Sequence, residues 1–462
     1  MRGKRRRSQR ENSYLPIPDT WDGLDWLQIN LSEEGYDSIF AGPRPNGTSK
    51  TWYKKETGTF HYPYNLGIWN FFGETGEWFD AEKLELQHRP HIIDPNHCFY
   101  KSKDKLSGAN HLYIITVFNP QFFELNRELG FSLIDQQYQN DIRNGDAAVV
   151  LFYPWEGYSG MEGNDDFKIA EEWRKKAHFP KGSVHFFTGN LEADGHDDIK
   201  NSGIKVHPYN TFDNWNADKF EEPLIDFIPN DNKFLYLSYN RNPRGPRIYL
   251  GAKLIEYNLL DKGLVSLGKP DWWTPNNVLR ADGIRDQEYA KLNKQLPIEI
   301  GKKLFFNLAC NIDLQDFQST FCSIITETLV ENKTLFISEK TWKAIQVGHP
   351  FFLLGNPGTL NYLRNRGYKT FDRWWDESYD HVTEYRLRVE MILKEIDRFS
   401  KKSKEELIEI RKEMHEVLEF NKQLHYRNMI QKWGYGTSEK PEQVLRELWG
   451  IYEKLGNGKD IM

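Results

Sequence analysis

The segment Ile337–Ile345, I-S-E-K-T-W-K-A-I, gathers the groups that hold a phosphorylated ligand. An apolar run ends at Ile337 and a helical pattern begins at Glu339, which leaves Ser338 as the helix cap. A helix N-terminus presents free N–H groups and partial positive charge. Lys340 adds a full charge there, and Glu339 offers acceptors to ribose hydroxyls. The same residues equally describe an ordinary helix start, with Ser338 capping and Glu339 paired to Lys343 at i,i+4.

A second concentration of charge is Ser238–Arg247, S-Y-N-R-N-P-R-G-P-R, which follows an apolar run and opens a helix at Pro246. Arg244 and Arg247 could clamp a diphosphate with their forked guanidinium groups, or form a solvated turn. Glu327 closes the apolar run F-C-S-I-I-T, placed to reach a ribose or to cap a turn. In the first half of the chain, Glu156 follows the run Ala147–Tyr153 within P-W-E-G-Y. Apolar neighbours there would raise its pKa toward the range of a general base; the alternative is a plain loop carboxylate. Asn190 follows its own run in the same way with a weaker signal. His185 and His207 lie on strand patterns and read as satisfied core histidines.

These residues need a scaffold that puts them at strand-to-helix junctions. Leu112–Phe118, Ala147–Tyr153 and Ser183–Gly189 read as buried strands, with a helix over 165–177 between the last two. A second alternation runs from a strand at Lys233–Ser238 through a helix from Pro246, with Gly263 as its stop. It continues with a strand at Thr334–Ile337, a helix at Glu339–Val347 stopped by Gly348, and a strand at Phe351–Leu354. Trp342, beside Lys340, is placed to stack on a sugar or base. The Pro-containing stretch 221–232 reads as a linker. Tyr385, Val389, Ile392, Ile396 and Phe399 form an amphipathic stripe, Ser403 with Glu406 a capping box, and a last helix covers 442–455.

Strands alternating with helices predict an α/β chain with parallel sheets: two Rossmann-like domains facing across a cleft, then C-terminal helices. The expected division is a basic arm at 1–20, an acceptor-side domain at 21–229, a donor domain at 230–400 and helices at 401–462. Six of the first ten residues are basic, which leaves 55 basic against 67 acidic residues in the remainder, a balance of −12. The arm is either a solvated tail or an electrostatic contact for nucleic acid. Aromatic residues, 15% of the chain, exclude a disordered protein and supply core despite a mean hydropathy of −0.72. No apolar run reaches membrane-spanning length and no apolar segment follows the basic start. Cys98, Cys310 and Cys322 are too scattered for a disulfide framework or zinc site. A cytoplasmic protein without membrane insertion is the expectation. Glycine fingerprints for dinucleotides, the P-loop, the nucleophile elbow, H-E-x-x-H and Asp-x-Asp are all missing, so any nucleotide would be held without metal or cofactor.

From 233 to 388 the chain resembles the donor domain of GT-B glycosyltransferases, in particular the alpha-1,3-fucosyltransferases. The resemblance rests on Phe234–Arg247, Phe321–Glu327 and I-S-E-K-T-W-K-A-I-Q-V-G-H-P-F-F-L-L-G. It is also similar to glycosyltransferase-like proteins of large phages and bacteria in Gly367–Phe371 and Glu377–Asp380. The resemblance implies a metal-independent glycosyltransferase whose nucleoside-diphosphate-sugar donor meets Arg247, or Arg244 if the alignment slips, together with Lys340 and Glu339. It places an acidic base in the N-terminal domain, where Glu156 is the candidate. The acceptor is a glycan, a small molecule or hydroxylated bases of phage DNA. The rival reading is a non-catalytic carbohydrate- or nucleic-acid-binding protein that keeps the GT-B shell.

Overall fold

A computed structural model describes residues 136–153, 166–195, 197–210, 212–213, 223–229, 233–269, 286–300, 312–330 and 334–433. It also describes a few positions between 447 and 455 and, as backbone alone, five short strands before residue 120. The chain forms two compact units, Met1–Thr211 with Gln431–Met462, and Phe212–Ile430.

The first unit carries β1 (Phe40–Ala41), β2 (Trp52–Lys54), β3 (Thr59–His61), β4 (Phe79–Asp80) and β5 (His111–Thr116). These are followed by α1 (Gln136–Asn144), β6 (Ala147–Tyr153), α2 (Asp166–Lys176), β7 (Val184–Thr188), α3 (Asp197–Lys200) and β8 (Lys205–Pro208). Strands β1-β5-β6-β7-β8 form one parallel sheet, and β2-β3-β4 a small antiparallel one. The apolar runs of β6 and β7 suit a parallel sheet covered on both faces. His185 and His207 share this sheet, ring nitrogen to ring nitrogen at 3.0 Å, and His207 meets Glu447 at 3.1 Å. Burial and the neighbouring His207 hold His185 well below the ordinary imidazole range.

The second unit builds β9 (Tyr236–Asn240), α4 (Gly245–Glu256), β10 (Gly263–Leu267), α5 (Asp286–Asn293) and β11 (Ile298–Ile300). It continues with α6 (Leu314–Ser319), β12 (Cys322–Thr326), α7 (Glu339–Val347), β13 (Phe351–Leu354), α8 (Thr359–Asn365), α9 (Tyr385–Ser400), α10 (Lys404–Glu413) and α11 (His415–Trp433). The sheet order is β11-β10-β9-β12-β13, parallel except for β11. From β9 the chain winds outward to β10 and then returns to the other side of β9 as β12. That reversal is where open α/β sheets bind ligands, outside the carboxyl ends of the strands. Val347 of α7 and Phe317 of α6 pack with Leu237 and Leu264 on one face. Helix α4 covers the opposite face, where Gly251 lies so close to Leu267 that a Cβ would meet its side chain at 2.8 Å.

Three expectations change. The strand feeding α7 is β12, not Thr334–Ile337. Those residues are buried but form no strand, and β12 already has β9 on one edge and β13 on the other. Gly263 does not stop the helix, which ends at Glu256; it opens β10, where a Cβ would strike the Tyr236 ring at 2.5 Å. Within the expected linker, 223–229 packs on the second unit, with Ile225 N–H donating to Val347 and Ile228 N–H to Gln318. The last helix expected over 442–455 lies largely outside the described residues, apart from helical backbone at 447, 450 and 451.

The aromatic share builds a cluster around β13, with Phe352 stacked on Trp375 at 4.3 Å and Phe371 meeting Trp375 at 5.0 Å. The segment Gly367–Asp380 clasps that strand. Tyr379 accepts from Leu353 N–H, Glu377 accepts from Phe371 N–H and from Arg364, and Asp380 accepts from Leu360 and Asn361 N–H at the start of α8. The Ser403–Glu406 capping box forms as expected, but in solvent. Asp380→Ala should therefore cost about 2 kcal/mol in urea unfolding, because it strands buried N–H groups, against about 1 kcal/mol for Ser403→Ala. Equal losses would contradict the assignment of Asp380 as the buried cap.

Candidate functional site

The carboxyl ends of β9 and β12 part. Their register partners are Tyr236 with Cys322 and Leu237 with Ser323 only, whereas β9 stays paired with β10 out to Asn240 and β12 with β13 out to Thr326. Carried on, the register sets Thr326 level with Asn240 on one face of the sheet, since side chains alternate with period two. This divergence lies at the reversal of strand order, where open α/β sheets form their ligand crevice, and polar residues, Asn240 and Thr326, end the two strands.

Three atoms there are buried without a hydrogen-bond partner: Asn240 Oδ1, Thr326 Oγ1 and Glu327 Oε2. Their residues are 3%, 1% and 1% exposed. All three can accept a hydrogen bond. A buried polar atom left unpaired costs about 1–3 kcal/mol, so acceptors left over at the carboxyl ends of β9 and β12 suit a ligand that donates; Asn240 and Thr326 share one face of the sheet, while Glu327 turns to α7.

The other oxygen of Glu327 is fully used. Oε1 accepts from Ser338 N–H at 3.1 Å and from the Thr341 hydroxyl at 2.6 Å, tying the end of β12 to the first turn of α7. Burial pushes this carboxyl above its ordinary range, against the opposing pull of the Lys340 charge and the two hydrogen bonds. Ser338 caps α7 as expected, accepting from Lys340 N–H, and Gly348 ends the helix in the left-handed region at φ 71°. Lys340 Nζ folds back onto Ser338 Oγ at 3.2 Å and Glu339 Oε1 at 2.8 Å. Burial alone would raise Glu339, but Lys340 and then Lys343 outweigh it and lower its pKa. The salt bridge of Glu339 is thus made with its neighbour Lys340.

The two arginines differ. Arg247 is 4% exposed and spans the crevice, donating to the carbonyls of Asn242 at 3.1 Å, Thr326 at 3.3 Å and Glu327 at 3.5 Å. Arg244 is half-buried at the N-cap of α4, whose first turn no side chain caps, and it donates to Thr328 O at 3.3 Å. Gly268 lets the loop after β9 pass this close, since a Cβ would lie 2.1 Å from Arg241 O. All six residues expected around a donor, Arg244, Arg247, Glu327, Ser338, Glu339 and Lys340, thus belong to one connected network.

Sequence reasoning missed Asn240 and Thr326, although each is a polar residue closing an apolar strand at the ligand-binding edge. It also missed Arg388, 1% exposed, whose guanidinium donates to Gly355 O and Val330 O. The signal was available: Arg388 falls three residues after Tyr385, on the apolar stripe of α9. Trp342 does not offer a free ring face as expected. It is buried and stacked on His425 at 4.7 Å and 3°. Glu156 lies outside the described residues, as does Trp155. Asn190 is fully buried in a turn of its own, accepting from Glu192 N–H. No group of three or more His, Cys, Asp or Glu side chains with metal-binding geometry occurs among the described residues. No helix among them is long and apolar enough to cross a membrane.

Glu327 yields a test with a definite sign. Its folded pKa lies above the ordinary value of 4.5, so its contribution to stability is full below that value and is lost as pH rises through the folded pKa. Glu327→Gln keeps an acceptor for Ser338 and Thr341 and removes the buried charge. Its unfolding free energy relative to wild type should climb from about pH 4.5 upward. Glu327→Ala removes the same titrating group, so its curve should run parallel to that of Glu327→Gln and lie about 1–3 kcal/mol below it at every pH, for the stranded Ser338 N–H. Equal destabilisation of both variants at pH 8 would contradict the buried-carboxylate assignment.

No family model matches the chain, and no curated protein matches it. Among solved structures, a crystal structure of the DNA-modifying enzyme beta-glucosyltransferase, in the presence and absence of the substrate uridine diphosphoglucose, aligns with 74% of this chain and 80% of its own. The identity is 10% and the TM-score 0.28, a likeness too slight to carry an argument about fold or function.

Proposed function

We propose that the chain is a glycosyltransferase of the GT-B type, whose second unit binds a nucleoside-diphosphate sugar without metal or other cofactor. One observation carries the reading: Asn240 Oδ1, Thr326 Oγ1 and Glu327 Oε2 are buried and unpartnered at the carboxyl ends of β9 and β12, the sheet edge to which Arg244 and Lys340 also belong. Ribose hydroxyls supply the hydrogen-bond donors that these atoms lack. The diphosphate lies toward the Arg244 side chain, because carboxylate and hydroxyl groups already occupy the Ser338 and Lys340 amides of α7. Arg247 keeps the crevice open from below and does not reach the phosphates.

In the reaction, Glu156 removes a proton from the acceptor hydroxyl, whose oxygen attacks the anomeric carbon while the bond to the diphosphate breaks. Negative charge grows on the leaving diphosphate, next to Arg244 and Lys340. A contact of that kind contributes about 3 kcal/mol in the transition state, ~100-fold in rate. The acceptor is a hydroxylated DNA base, a glycan or a small molecule. The cationic first ten residues favour DNA.

Thermal-shift measurements against GDP, UDP, ADP, CDP and TDP in chelator test the donor site. One of them at 100 times its dissociation constant should add about 2.7 kcal/mol of stability, and Lys340→Ala should weaken it about tenfold. Stabilisation by none of the five would remove the reading. Turnover separates an enzyme from a binding protein that keeps the same shell: Glu156→Gln should abolish transfer while leaving nucleotide binding intact, and full activity in that variant would remove Glu156 as the base. With hydroxymethylated DNA as acceptor, turnover should fall steeply between 50 and 200 mM salt, on the order of 10³-fold for about six phosphate contacts. Salt-insensitive turnover would exclude DNA.

A further inference from the structure

Four side chains share one face of the first unit's parallel sheet at β7 and β8. The register sets His185 opposite Lys205 and Phe187 opposite His207, and the period of two turns all four to the same side. His207 thus lies diagonal to His185, with Nε2 3.0 Å from His185 Nδ1, and its ring stacks on Phe187 at 4.5 Å and 11°. Its other nitrogen, Nδ1, meets Glu447 Oε2 at 3.1 Å. Glu447 belongs to Gln431–Met462, the stretch that rejoins the first unit after the second. Glu447 and Ile451 sit four apart on helical backbone, and Leu455 follows at the same spacing. Ile451 and Leu455 are buried, and the charge of Lys454 reaches His185. The returning stretch therefore brings two buried apolar residues and one carboxylate that meets an imidazole.

The line Glu447–His207–His185 fixes where its hydrogens sit. An ionised carboxylate only accepts, so Nδ1 of His207 carries the hydrogen between them. Nε2 of a neutral His207 then accepts from Nδ1–H of His185. Burial, the neighbouring His207 and the charges of Lys205 and Lys454 keep His185 itself from charging, against a hydrogen bond with the Gly182 backbone. We propose that this line is a proton-linked latch: a proton taken up at Nε2 of His185 appears as charge on His207, where it pairs with Glu447 and tightens the hold on the C-terminal stretch. In that step the Nε2–H bond of His185 forms and its Nδ1–H bond breaks. The released hydrogen passes to Nε2 of His207, which becomes the imidazolium, while His185 stays neutral as the other tautomer. The surrounding charges set the sign. Lys205 and Lys454 repel a charge on His185, and Glu447 attracts one on His207. Asp194, on the Ala193–Gly195 turn that packs against β8, is exposed. Imidazoles titrate between about pH 5 and 8, so the latch is engaged at the acid end of that window and lost toward its basic end.

Hydrogen exchange of the full-length protein at pH 6 and pH 8, each corrected for the intrinsic rate, tests this in peptides covering 447–455. Protection in wild type should be about threefold greater at pH 6, the size expected of a half-buried ion pair. Glu447→Gln keeps an acceptor beside His207 without the charge and should abolish the difference. Contacts of Glu447 that do not titrate cancel between the two pH values. His207→Gln should abolish the difference as well. His185→Gln, whose amide can accept from His207 and which leaves the imidazole facing Glu447, should retain it. Equal protection at both pH values in wild type would overturn the latch, as would a difference that survives Glu447→Gln. Weaker protection at pH 6 would put the charge on His185 beside Lys454 and overturn it too. The donor-site reading of the second unit stands or falls separately.

Discussion

The burial of Glu327 is the constraint on which the second unit's carboxyl edge depends. A carboxylate at 1% exposure is costly unless its lone pairs are used, and here one oxygen is committed to Ser338 and Thr341. That commitment joins a strand to a helix start eleven residues later, with 334–337 running buried between them outside the strands of the sheet. The other oxygen is left without a partner. One side chain thus fixes the geometry of α7 with one oxygen and, in the proposed function, would accept from a ligand with the other.

The cationic side chains follow the same logic. Arg247, Arg388 and Arg411 are buried and donate to backbone carbonyls, the first two at or just past strand ends and the third to Gly348 at the end of α7. Each satisfies acceptors that regular structure leaves over, and each brings a desolvated charge to do so. For Arg411 that desolvation is strong enough to pull its pKa down to about 9. Buried guanidinium groups here are construction; Arg244 and Lys340 are partly open to solvent, and the proposed function assigns the diphosphate to them.

Much of this was legible in the residues themselves. Ser338, Glu339–Val347, Gly348 and Phe351–Leu354 fold residue for residue as the cap, helix, stop and strand that their pattern predicts. Local signals suffice there because capping chemistry and period agree. Thr334–Ile337 misled because an apolar, β-branched run looks like a strand whether or not a sheet edge is vacant, and vacancy is a tertiary property. Arg247 read as a phosphate clamp because sequence gives a charge but not its burial. Asn240 and Thr326 stayed silent because a polar residue ending a strand is common, and only the divergence of two particular strands makes a crevice of them. Trp342 failed for a similar reason, since its stacking partner His425 lies 83 residues away.

The crevice between β9 and β12 is the centre of the account, and a crystal structure with the stabilising nucleoside diphosphate tests it most directly. The account predicts ribose hydroxyls within hydrogen-bond distance of Glu327 Oε2 and of Asn240 or Thr326, with the diphosphate against Arg244. A nucleotide bound elsewhere, with those three atoms still without partners, would contradict it.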